Sequence, residues 1–105
     1  AGGDLATAST GRAVANMNNR LPLGQVVVTA NAKSILSDYD INSATARHQS
    51  CDWGDTSKTD WGANDSALKN GDRILSTFTS GAGDKFWVIT EWDRSYTTVL
   101  MPDDY

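Results

Sequence analysis

The residues best equipped for chemistry fall into two groups. The first is His48, Cys51, Asp52 and Asp55. A His-x-x-Cys spacing at a helix end sets an imidazole beside a thiol, the beginning of a nucleophile–base pair. It equally offers two zinc ligands. A structural zinc site wants four nitrogen or sulfur ligands, and the chain has 1 His and 1 Cys. Asp52 and Asp55 would have to complete it. No third residue stands out that would orient a catalytic pair. The plainer reading is a histidine near a helix C-terminus that hydrogen-bonds a carbonyl or an aspartate, and it is preferred. No metal and no cofactor are expected.

The second group is Thr90-Glu91-x-Asp93-Arg94-Ser95-x-Thr97-Thr98. Glu91, Asp93 and Arg94 could line a site at a sheet edge, with Arg73 joining them to hold a phosphate or carboxylate. His48 with Arg73, Asp93 and Arg94 would then supply the acid, base and cation that a small ribonuclease-like phosphodiesterase or hydrolase needs. The plainer reading is a solvated turn, with Asp93 and Ser95 bonding backbone and Arg94 paired with Glu91 or Asp93. Of 4 tryptophans, most are packing mass. Trp53, in an Asp/Gly loop, is the one placed to anchor a loop or a partner. Trp53, Asp52, Glu91 and Thr97 are thus the expected binding residues, and a pocket between Trp53 and the sheet would suit a small ligand. There is no phosphate loop, dinucleotide fingerprint, HExxH or G-x-S-x-G.

These groups are positioned by the last third of the chain. Arg73–Thr79, Lys85–Trp92 and Tyr96–Met101 are rich in Val, Ile, Thr and aromatics, which suit a pleated surface. The gaps SGAGD and Asp93-Arg94-Ser95 are short, so the strands run antiparallel as a meander. Pro102 ends it. Upstream, Gln25–Ala30 contains three successive valines and reads as a short strand covered on both faces. Asn31 reads as the N-cap of a helix over Ala32–Ser37, with Ile35 and Leu36 facing the core. Asp40-Ile41-Asn42 is a break, and Ser43 caps a further turn, Ala44–Gln49. Ser57 begins a helix over Lys58–Lys69, stopped by Asn70-Gly71. The expected fold is α+β, an antiparallel sheet of three to four strands with two or three short helices mainly on one face. Those helices hold few large apolar residues. The second face therefore needs the N-terminal tail or a second copy, and a homo-oligomer through the sheet or its edge is expected.

At 105 residues the chain is one domain. Residues 1–16 read as a tail or weak helix, and Met17 offers a native start that would make them an appendage, leaving 17–105 as the domain. Hydrophobic residues make up 39% and the formal charge is -4, with a mean hydropathy of -0.43. An acidic chain is not expected to bind nucleic acid directly. It could present an acidic surface to a basic partner. A lone cysteine rules out an intrachain disulfide and suggests a reducing compartment, so the cytoplasm is expected. No apolar run approaches a membrane span.

From about Leu23 onward, three stretches carry a resemblance: His48…Asp52-Trp53-Gly54-Asp55; Asn64…Asn70-Gly71-x-Arg73-Ile74-Leu75-Ser76; and Trp87-Val88-Ile89-Thr90-Glu91-x-Asp93-Arg94-Ser95-x-Thr97-Thr98 through Pro102. In these the chain resembles small bacterial proteins of plasmids, phages, gene cassettes and other mobile elements, some attributed to restriction systems. That group has no established activity, so the resemblance implies no catalytic residue. It implies a small residue such as Gly at the position of Cys51, and a small residue at that of Trp92. The expected function is a non-enzymatic binding protein of a mobile element, acting on a host or defence component. The hydrolase and the small-ligand module are its alternatives.

Overall fold

The computed structural model describes residues 21–105. The expectations for residues 1–16 and for Met17 lie outside these residues. The elements are β1 (Gln25–Val28), α1 (Ala30–Ile35), α2 (Asp38–Gln49), α3 (Lys58–Asn70), β2 (Ile74–Thr79), β3 (Lys85–Thr90) and β4 (Tyr96–Leu100), then one 3-10 turn, Pro102–Asp104. The fold is α+β. A four-stranded sheet has the order β1-β4-β3-β2. The meander is antiparallel, in the register Ile74↔Thr90, Phe78↔Phe86 and Val88↔Val99. β1 joins it in parallel against β4, Val26 beside Thr97 and Val28 beside Val99. A parallel pair needs a long crossover, and the three helices with two strands of the meander provide it.

The helices start where side chains satisfy the first free amides. Thr29 caps α1 by accepting from the Ala32 amide, the role expected of Asn31. Ser37 caps α2 by accepting from the Asp40 amide, and Asp38 and Asp40 fill the first turn. Acids there complement the helix dipole. This is why Asp40-Ile41-Asn42 continues the helix instead of breaking it. Ser57 caps α3, and Gly71 ends it in the left-handed conformation.

All three helices pack on one face of the sheet. Alternate strand residues reach toward them: Phe78, Phe86, Val88 and Val99 join Ala32, Leu36, Ile41 and Ala44 in one cluster. Ile74, Trp53, Leu21 and Ala67 form a second, with Trp61 and Leu68 against it. Leu36 faces the core as expected, whereas Ile35 is exposed. On the opposite face Ile89 and Leu100 are buried. The cover there includes the C-terminal residues: Tyr105 meets Trp87 edge-on at 5.5 Å, and Arg73 donates to its hydroxyl at 2.7 Å. Tyr96 and Val27 of that face stay open, at 43% and 41%. β1 was expected to be covered on both faces. Gln25, Val26 and Val27 are exposed instead, because β1 is an outer strand of the sheet.

Candidate functional site

His48 lies near the end of α2, fully buried under the sheet. It bonds neither a carbonyl nor an aspartate. Its Nδ1 is 2.6 Å from Ser76 Oγ and its Nε2 is 2.8 Å from Thr90 Oγ1. Thr90 Oγ1 is 2.7 Å from Thr97 Oγ1, and Thr97 donates to the Leu23 carbonyl at 2.8 Å. The last donor orders the rest. Thr97 must accept from Thr90, Thr90 from Nε2–H, and Nδ1 from the Ser76 hydroxyl. The ring is therefore the Nε2–H tautomer, assigned from the network. Burial, with Arg94's charge adding to it, lowers the His48 pKa to about 4. A protonated ring would also turn Nδ1 into a donor facing a hydroxyl that now donates to it.

This relay runs from β2 through α2, β3 and β4 to the residue just before Gly24. It consumes both ring nitrogens, so Cys51 has no imidazole partner. Cys51 is itself buried, with a φ of 67. A glycine takes that backbone without cost. Among the described residues no three of His, Cys, Asp and Glu come together as a metal site.

The other expected site residues are used in separate places. Trp53 is 0% exposed, meets His48 edge-on at 5.4 Å and donates to Asp65 at 2.9 Å. It is a core residue, so it anchors its own loop and not a partner at the surface. Thr97 is equally buried. Asp52 receives Arg47 Nε at 2.8 Å, and this bond holds its carboxyl below the usual range. Asp93 accepts from the Ser95 hydroxyl at 2.6 Å and the Ser95 amide at 3.1 Å. That closes the turn, as its plainer reading had it.

Arg94 pairs with no carboxylate among the described residues. It donates to three carbonyls, of Asp72, Glu91 and Ala67. It thereby ties the β3–β4 turn to the end of α3 and the approach to β2. Arg73 pairs with Glu91 at 3.7 Å on the opposite side of the sheet from His48. His48, Arg73, Asp93 and Arg94 thus do not converge on one cavity, and the hydrolase arrangement is not assembled.

A groove of about 420 Å³ opens beside β2. Its walls include Asp55, Ser57, Asp60, Asn64, Arg73 and Thr77. His48 and Trp53 are not among the groove's lining residues.

The two outer strands are finished differently. At β2, Asn64 Nδ2 donates to the Leu75 carbonyl at 2.8 Å, and its Oδ1 accepts from the Leu75 amide at 3.4 Å. Thr56 accepts from the Thr77 amide at 3.1 Å, and the Asp55 amide donates to the Thr77 carbonyl at 2.7 Å. Gly54 bridges Thr77 with a φ of 67; a Cβ there would run into the Thr77 carbonyl. At β1, the Gln25 and Thr29 amides donate to the Ser95 and Val99 carbonyls of β4. Strand alternation then turns the N–H and C=O groups of Val26 and Val28 outward. Those groups have no partner among the described residues.

Sequence reasoning placed Thr90 and Thr97 in a polar group but did not join them and Ser76 to His48, and it did not single out β1 as the strand edge without partners among the described residues. Ser76, Thr90 and Thr97 interrupt inward apolar rows, which is a legible sign of a buried polar partner. The edge had a sign too: three valines with no charge or proline among them. Comparison with known protein families, curated proteins and solved structures finds no match for this chain.

Proposed function

We propose that this is a non-enzymatic interaction protein of the mobile-element kind, acting in the cytoplasm by taking up an extended segment of a partner along β1. The observation that carries this reading is the outward backbone of Val26 and Val28, which has no partner among the described residues, on a strand whose first three side chains are exposed. An unprotected, uncharged edge is a template for one more strand. The homo-oligomer expected from the sequence is one form of the same reading. It is supported further by the dispersal of the residues that a hydrolase would need together.

Amide exchange on the full chain tests it. The Val26 and Val28 amides should exchange fast, and the Thr77 amide, bonded to Thr56, slowly. Slow exchange at Val26 and Val28 in the isolated monomer would mean the edge is already filled, and would sink the reading.

The β2 groove favours a second reading, a small polar ligand held between Asp60 and Arg73. A zwitterionic amino acid that shifted the resonances of Asn64 and Thr77 would support it. Unmoved resonances at millimolar ligand would remove it.

A further inference from the structure

The β1 edge has acid at both ends, and this selects what can dock there. β1 itself, Gln-Val-Val-Val, carries no charge. Where it ends, Thr29 donates to Asp104 at 2.7 Å, and Asn31 reaches Asp104 at 3.2 Å and Asp103 at 3.5 Å. The hydrogen bond from Thr29 holds the Asp104 carboxyl below its usual range, so it stays charged. Where β1 begins, Gln25 bonds Ser95, and Ser95 holds the exposed Asp93. Among the described residues, the cations near these ends have partners. Lys33 faces Asp38 at 3.7 Å, and the Arg94 guanidinium is spread over three carbonyls.

A second copy is the obvious occupant, and charge opposes it. Antiparallel β1–β1 pairing about a two-fold would set the Asp93 end of one strand against the Asp103–Asp104 end of the other. Like charges so placed weaken association. A four-residue strand also offers little area beyond the edge itself.

We infer that β1 takes up an extended segment of a different protein, apolar and β-branched where it pairs with Val26 and Val28 and flanked at both ends by Lys or Arg. Main-chain bonds give such a complex its affinity, and the flanking charges fix which segments are accepted. On one face its side chains would lie beside Val26, on the other beside Val27, both already exposed. This inference rests on the proposed function and goes further by naming the partner's chemistry.

The probes are two fluorescent peptides with a Val-Thr-Val-Thr-Val core, one flanked by lysines and one by glutamates, titrated against the full chain. The lysine peptide should bind at low salt, weaken as salt rises, and outcompete the glutamate peptide by at least about tenfold. Val26→Pro removes an outward N–H without touching the bonds to β4 and should abolish binding. The slowing of Val26 and Val28 amide exchange by the lysine peptide reads the same contact without a variant. Equal binding of both peptides overturns the charge rule and leaves the edge as a docking strand. A concentration-dependent dimer that Val26→Pro dissolves overturns the inference in favour of a second copy, again leaving the edge. Binding of neither peptide, with Val26 and Val28 amides protected in the monomer, overturns both. Binding of neither peptide with those amides in fast exchange overturns the partner chemistry.

Discussion

The outer strands of this sheet pose one problem and receive opposite solutions. At β2 the outward backbone groups of Leu75 and Thr77 are each met, by Asn64, Thr56 and Asp55. At β1 those of Val26 and Val28 are met by nothing among the described residues. Both edges could have been blunted in the same way, with a neighbouring amide side chain or a charge. One edge is closed by four hydrogen bonds, while the other has no such closure among the described residues, and the proposed docking of a partner strand rests on that contrast.

The sharpest break in this comparison is acid. The His48 relay is a polar tie between the two sides, from Ser76 of β2 to Leu23 just ahead of β1. With a folded pKa of about 4 against 6.5 when exposed, His48 takes up a proton more readily unfolded. Its contribution is therefore whole above pH 6.5 and is lost as pH falls toward 4, an expected loss of about 3 kcal/mol. Urea midpoints of the wild type and of His48→Gln across that range isolate this step, since the variant should lack it.

Gly54→Ala attacks the closed edge directly. Its left-handed backbone and the blocking Thr77 carbonyl should cost about 3 kcal/mol, read by chemical denaturation. Asn64→Ala orphans the Leu75 amide and carbonyl and should cost about 2 kcal/mol. It should also raise exchange at Leu75 without altering Val26. The smallest effect belongs to the open edge. Val26→Lys should change stability by less than about 0.5 kcal/mol, because Val26 is 44% exposed and its outward backbone has no partner among the described residues. A larger loss would show that β1 is built into the core as β2 is.

The meander was legible because each strand carried β-formers between turn residues. Its observed spans, Ile74–Thr79, Lys85–Thr90 and Tyr96–Leu100, differ from expectation only at their ends. The start of α3 at Ser57 and its stop at Gly71 were equally plain. The parallel pairing of β1 was not, since nothing local in Gln-Val-Val-Val names β4 as its neighbour. The site was less legible than the fold. His48 could be seen to carry chemistry, but its partners Ser76 and Thr90 come from strands far along the chain. Trp53 looked like an anchor for a loop or a partner because its neighbours are polar. Those neighbours turn outward, and the indole enters the core.

The bond from Thr97 to the Leu23 carbonyl joins groups 74 residues apart in sequence. On the ribosome β1 is made first, and its partner β4 only after all of the helices. Through that interval the valine strand lacks its described partner, and the edge that meets β4 cannot close until the meander has been synthesised. Long-range pairing of this kind is slow, and exposed uncharged strands invite aggregation meanwhile. Cells making this protein should therefore need a chaperone most during translation, and pausing synthesis just before Tyr96 should be the surest way to lose it.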